Sequence, residues 1–285
     1  MFGPTLLAAS MVARSADFKH GNSWQYHSRS DRHSKVACWG LLLDLMNSCG
    51  LLREHAQQGL VGYGLNHEMR DFRTSRKKNL DLVVCRPRVN IGQGPPAPTF
   101  ADQAQELGIR LDAAATAALE ALPRLDELPV GAVHVALEAK ACMTAFMKAR
   151  PRLYDELNSS HAAIHGNSPH TIAVGLAMVN VATTFISPGR NDFAMAGRQA
   201  VVTKHNQPHE AGAVIEKLRE LPRRSRDGEE GYDAFAIVVV DCTNDGTPVR
   251  VVNAPPAPQR GAVDDYEMTV HRLAQLYEQK YRNIS

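Results

Sequence analysis

The sequence has no CxxC pair, no internal repeat and no apolar run near the ~20 residues needed to cross a bilayer. Its five cysteines, Cys38, Cys49, Cys85, Cys142 and Cys242, are scattered and odd in number. That pattern excludes a disulfide framework and a cysteine-based zinc or redox motif, and a reduced cytoplasmic protein is expected. Cys85 and Cys242 fall in apolar, strand-like runs and read as core residues. An excess of one charge is also missing. The net charge of +2 does not by itself identify a nucleic-acid binder. Met1 to Arg14 contains the apolar stretch Leu6-Leu7-Ala8-Ala9 but no basic region before it, so it is not read as a signal peptide, and no membrane partner is expected.

What is present suffices for a packed core. Among 285 residues, 44% are hydrophobic and 22% charged. Ser30 or Asp31 can cap a helix running to about Asn47, with Val36, Trp39, Leu43 and Met46 as its inward stripe and Gly50 as its stop. Gly59 to Glu68 reads as extended, the basic stretch Arg70 to Lys78 as a hairpin turn, and Leu80 to Arg86 as a strand. Pro87 to Thr99 is a Pro/Gly-rich loop. Ala101 to Leu122 is Ala-rich and helical, an excursion between two strands that are otherwise neighbours. Val130 to Lys140 is a third strand, apolar enough to be buried on both faces. A helix interrupted near Pro151 follows, then a central strand at Thr171 to Val181 and an amphipathic helix at Pro208 to Pro222. The strand Ala234 to Asp241, the turn Asn244-Asp245-Gly246, a return strand from Pro248 to Asn253 and a helix from about Asp264 to Arg282 complete the order. One α/β domain over 1–285, with a mixed central sheet flanked by helices, is expected.

The chemically telling residues are Glu138-Ala139-Lys140, which close the apolar run Val133 to Leu137, and Asp81, which opens the run Leu82-Val83-Val84-Cys85. On a strand, residues i and i+2 point the same way, so Glu138 and Lys140 share a face. A neighbouring strand can bring Asp81 beside them. Two carboxylates and an ammonium in one small volume suit a hard divalent cation and charge on a phosphate.

A helix, a strand, Asp81 on a second strand, then Glu138-x-Lys140 on a third followed by a helix resembles the PD-(D/E)xK nuclease superfamily, which includes type II restriction enzymes and phage-defence and repair nucleases. The resemblance covers about 31–181 and implies a restriction-endonuclease-like αβββαβ core, a helical insertion at about 99–128 between its second and third strands, and a C-terminal extension at about 182–285. The proline of the family name is absent, since Asn79-Leu80 precedes Asp81. The separation of Asp81 from Glu138 is wider than usual, and the insertion accounts for it. Some members carry a further acid on the first helix; here Lys35 stands where one would be sought, leaving Asp31 and Asp44 to consider. The resemblance implies catalytic Asp81, Glu138 and Lys140, and Mg²⁺ (or Mn²⁺) held by Asp81, Glu138 and the carbonyl of Ala139. The implied activity is endonucleolytic hydrolysis of DNA in restriction or phage defence, by a homo-oligomer, because cutting both strands takes two active sites. A catalytically silent nucleic-acid-binding or regulatory protein on the same fold is the alternative, and a nuclease switched on by a nucleotide second messenger a third.

Other residues are weighed against plainer roles. Glu68 and Asp71 precede the Asp81 strand and read as part of a solvated hairpin. His67, His161, His165 and His170 read as surface or capping residues, not zinc ligands. Gly92-Gln93-Gly94 does not open a helix after a strand and is no dinucleotide site. Tyr154, Asp155, Glu156 and Asn158 follow the motif on the next helix, where they either face substrate or form an exposed surface. The basic clusters Arg70, Arg73, Arg76, Lys77, Lys78 and Arg219, Arg223, Arg224, Arg226 are candidate polyanion contacts or soluble faces. In the last helix Met268, Leu273, Leu276 and Tyr277 are either a subunit interface or packing on its own sheet.

Overall fold

The computed structural model describes residues 1–15, 19–88 and 97–284 and places a mixed six-stranded sheet between two layers of helices. In chain order the elements begin with α1 (Gly3–Ser10), the short ladder β1 (Arg14–Ser15) and β2 (Ser23–Trp24), α2 (Arg32–Ser48), α3 (Gly50–Gln57), β3 (Gly62–Arg70) and β4 (Lys77–Pro87). They continue with α4 (Phe100–Glu106), α5 (Ala113–Glu120), β5 (Val130–Cys142), α6 (Phe146–Asn167), β6 (Ile172–Asn180) and the small pair β7 (Thr184–Ile186) and β8 (Val202–Lys204). Then come α7 (His209–Arg219), β9 (Ala234–Asp241), β10 (Arg250–Val251) and α8 (Tyr266–Tyr281).

The sheet order is β10-β9-β6-β5-β4-β3. β3, β4 and β5 form an antiparallel meander, β5, β6 and β9 run parallel, and β10 returns antiparallel on β9. The parallel strands are the most apolar because helices cover both of their faces. Along β6, Val174, Leu176 and Met178 enter one core while Ala173, Ala177 and Val179 enter the other. The first core is filled by α1, α2, α3 and α8, and the second by α6 and α7.

Several local expectations change in three dimensions. α2 is buried nearly all round, not along one stripe, because α1, which sequence periodicity did not suggest, covers its outer side. A Cβ on Gly40 would lie 2.8 Å from the Cα of Gly3, so only glycine allows that approach. The buried carboxylate of Asp44 fixes α1, accepting from the N–H groups of Phe2 and Gly3, both at 2.7 Å, and from the Tyr266 hydroxyl at 2.9 Å. Gly50 does not end the chain's helical course. Cys49 breaks it, and Gly50 opens α3 at a 98° bend. No single helix among the described residues is long and apolar enough to cross a membrane. Pro151 neither stops nor restarts α6, which runs unbroken through it. The expected helix at 101–122 is two helices, split at Leu107 to Asp112. Of the loop at 87–99, residues 89–96, with Gly92-Gln93-Gly94, lie outside the described residues. The segment after 181 supplies β9 and β10 to the same sheet and α8 to its cover, so it is integral to the core and not an appendage.

Candidate functional site

The ladder between β4 and β5 ends at Leu82↔Leu137. Asp81 and Glu138 are the next residues on the two strands, at the point where the strands part. A buried N–H left without a ladder partner must find another acceptor. Asp81 supplies it: its Oδ2 accepts from the Ala139 N–H at 2.9 Å, and its Oδ1 accepts from the Ser34 hydroxyl of α2 at 2.8 Å. Asp81 is 9% exposed. Burial raises its pKa against the pull of these donors and of Lys140.

Glu138 is 1% exposed. Its neighbours Leu137 and Ala139 enter the α2-side core, so alternation places Glu138 and Lys140 together on the α6 side, as the i, i+2 spacing requires. The Lys140 ammonium lies 2.6 Å from Oε1 and that of Lys78 lies 3.9 Å away. The Lys140 contact is an ion pair set off the hydrogen-bond direction, the Lys78 contact is too long for a hydrogen bond, and neither carboxylate oxygen has a well-aligned hydrogen bond among the described residues. Burial, and then the nearby Asp81 carboxylate, push the Glu138 pKa up to about 6. Burial alone would lower the pKa of Lys140, but the charges of Glu138 and Asp81 outweigh it and the net shift is upward.

Asp81, Ala139 and Lys140 form part of the wall of a cavity of about 710 Å³. The first turn of α2 contributes Asp31, His33 and Ser34, and α6 contributes Lys148, Arg152 and Glu156. Tyr26 and Arg29 line it as well. Glu138 lies beneath this wall, not on it. The His33 ring packs tilted against Tyr26 with centroids 4.6 Å apart, and burial and then Lys140 hold its pKa below the usual histidine range.

The remaining candidates separate cleanly. Asp31 is at the cavity, paired with Lys35 at 2.7 Å. Asp44 is not at the cavity, being committed to α1. Glu68 pairs with Lys77 at 2.8 Å, and Asp71 organises the hairpin turn by accepting from the Arg73 N–H and the Thr74 hydroxyl. Of the four polar residues after the motif, only Glu156 lines the cavity, in an ion pair with Arg152 at 2.7 Å. His161 bonds Asn158, His165 lies 3.5 Å from buried Asp233, and His170 pairs with Asp227. The second basic cluster is structural: Arg219 pairs with Asp264, Arg224 is buried on Asp233, Arg226 pairs with Glu229, and Arg223 covers the Phe235 ring at 4.4 Å. In α8, Leu273 and Tyr277 are core residues packed within the chain, whereas Met268 is exposed and Leu276 half-buried.

Sequence reasoning missed Ser34, His33 and Lys78 at this site. Ser34 stands one helical turn after Asp31, a spacing that puts both on one face and was the available signal. Lys78 was hidden in a basic run whose other members are solvent-exposed. No group of three or more His, Cys, Asp or Glu side chains among the described residues is arranged to hold a metal. Neither family models, nor curated proteins, nor solved structures yield a match to the chain.

Proposed function

We propose that this protein is a metal-dependent endodeoxyribonuclease, with Asp81, Glu138 and Lys140 as its catalytic residues. The observation that carries the reading is the Asp81 to Ala139 hydrogen bond, which ties a β4 carboxylate to the Glu138–Lys140 segment where the two strands part. The succession of α2, the β3-β4-β5 meander, α6, and β6 parallel to β5 supports a restriction-endonuclease-like core, with α4 and α5 as the insertion.

The donor set fits a small hard cation. Two carboxylates and a main-chain carbonyl are oxygen ligands, and Glu138 Oε2 is a buried carboxylate oxygen with no hydrogen-bond partner among the described residues. Asp81, Glu138 and the carbonyl of Ala139 would hold Mg²⁺ or Mn²⁺. Bound there, the ion would acidify a water and neutralise charge on the scissile phosphate. Lys140, released from Glu138, would orient that water and stabilise the developing oxyanion. The cations Arg29, Lys148 and Arg152 on the cavity wall suit the neighbouring phosphates of a DNA strand. Cleavage would leave 5′-phosphate and 3′-hydroxyl ends, and a homo-oligomer would serve both strands.

One observation favours the second reading, a catalytically silent DNA-binding or regulatory protein. Glu138 lies beneath the cavity wall, with two lysines already balancing its charge. Supercoiled plasmid incubated with Mg²⁺ or Mn²⁺ separates the two. Nicking or linearisation is expected, reduced about 100-fold or more by Glu138→Gln and by Lys140→Ala. Cleavage indifferent to both changes removes the site. A wild-type protein inert with either metal, on several DNA forms and with added cyclic oligonucleotides, establishes the silent reading.

A further inference from the structure

We propose that the hairpin Met69–Lys78 is a DNA-engaging wedge, in which Phe72 stacks on a base or enters a base step while Arg70, Arg73 and Arg76 hold the flanking phosphates. The inference rests on the nuclease reading for its ligand class but not on the metal or the catalytic trio.

The hairpin is an arm, not a sheet edge. β4 stays paired with β3 out to Arg70↔Lys77, whereas its pairing with β5 starts only at Leu82. Five residues of unshared strand, at ~3.4 Å each, reach roughly 17 Å beyond the shared ladder. The arm is braced from below. Met69 and Leu80 pack into the α6-side core, the Phe72 N–H donates to the Gly166 carbonyl at 3.2 Å, and Asn167 Nδ2 donates to the Arg70 carbonyl at 3.0 Å. Asp71, only 4% exposed, ties the turn through the Arg73 N–H at 2.8 Å and the Thr74 hydroxyl at 2.5 Å.

This bracing presents an apolar ring to water. Phe72 is 71% exposed beside residues that are fixed in place. The cations around it are weakly engaged. The Arg70 guanidinium reaches the Ser75 hydroxyl at 3.3 Å, that of Arg73 is 3.8 Å from Asp71, and that of Arg76 makes no hydrogen bond or ion pair with the described residues, its backbone carbonyl accepting from the Asp71 N–H. An exposed aromatic flanked along the hairpin by weakly engaged guanidinium groups matches the two components of DNA, stacked bases and phosphates. The arm also joins the candidate active site at its base, where Lys78 lies 3.9 Å from Glu138.

The test is fluorescence anisotropy of a labelled duplex and of its single strand, in EDTA so that cleavage does not contribute, with 2-aminopurine in parallel probes reporting unstacking. Phe72→Ala is expected to weaken binding roughly 5- to 150-fold and to abolish the 2-aminopurine change. Phe72→Trp should retain both. The double substitution Arg73→Gln/Arg76→Gln should reduce the slope of log affinity against log salt by about two. Because Phe72 is exposed, its variants should keep the wild-type thermal transition. Wild-type affinity and 2-aminopurine signal in Phe72→Ala overturn the wedge, as does a wild-type protein that binds neither DNA. A Phe72→Ala protein whose only change is from dimer to monomer assigns the ring to self-association and overturns it too. Phe72-dependent binding without cleavage in Mg²⁺ or Mn²⁺ refutes the nuclease reading alone, and cleavage with Phe72-independent binding refutes the wedge alone.

Discussion

Glu138→Gln should make the metal-free protein more stable, and only above acid pH. The Glu138 carboxyl is pushed from 4.5 to about 6 by burial and by Asp81, against the pull of Lys140 and Lys78. A carboxyl whose folded pKa lies above its unfolded value binds its proton more tightly in the native state. Its ionisation therefore opposes folding. The effect is absent below about pH 4.5, grows as pH rises through 4.5 to 6, and is complete above 6. At 1.36 kcal/mol per pH unit the displacement corresponds to about 2 kcal/mol. Glutamine resembles the protonated acid in shape and lacks the charge. Urea denaturation followed by the fluorescence of Trp39, which is buried and stacked on Phe100 at 4.5 Å, reads the difference. The variant and wild type should match at pH 4 and diverge to about 2 kcal/mol in favour of the variant by pH 7. Added Mg²⁺ should erase the gap by stabilising wild type alone, by about 2.7 kcal/mol at a hundred times its dissociation constant. A gap independent of pH, or one that favours wild type as pH rises, refutes the reasoning. It would mean that the ion pair with Lys140 outweighs the cost of burying the carboxylate.

Two further outcomes follow from the geometry. Ser34→Ala removes the hydroxyl that orients Asp81 at 2.8 Å, and a titration of cleavage against Mg²⁺ should show an apparent affinity lowered about 10- to 100-fold with cleavage still attainable at high metal. Arg224→Ala strands the carboxylate of Asp233, which burial pushes up in pKa but His165 and Arg224 together hold below the usual range. The guanidinium also donates to the carbonyls of Pro169 at 2.9 Å and Thr171 at 2.8 Å. Its loss should cost about 3–5 kcal/mol by urea denaturation, and a cost under ~1 kcal/mol would show the buried pair to be dispensable.

Much of the fold was legible because it rests on local periodicity. The strands at 62–70, 77–87, 172–180 and 234–241 and the helices at 32–48 and 266–281 lie within a few residues of where alternation, apolar runs and turn residues put them. The misses share a cause. α1 is short, and the Phe2 and Gly3 N–H groups at its start donate to Asp44 from a helix distant in sequence, so no window around residues 3–10 contains the reason it is ordered. Pro151 was expected to interrupt α6, but packing of Leu153, Leu157 and Ile164 on the sheet keeps the helix continuous past it. At the site, the pairing of Glu138 with Lys140 was readable from i, i+2 alternation. The role of Ser34, and the engagement of Asp81 with the Ala139 amide in place of direct contact with Glu138, were not.

By itself the order of residues determined which segments extend, which coil, and which two charged side chains leave β5 on the same face, since these depend on neighbours a few positions away. Only the tertiary structure decided that β4 and β5 part at Asp81, that Glu138 is sealed beneath the cavity wall, and that one basic cluster is spent on contacts within the chain while the other stands out on an arm. Burial and charge pairing between residues far apart in the chain govern those outcomes, and no local pattern encodes how far a carboxylate will end up from water.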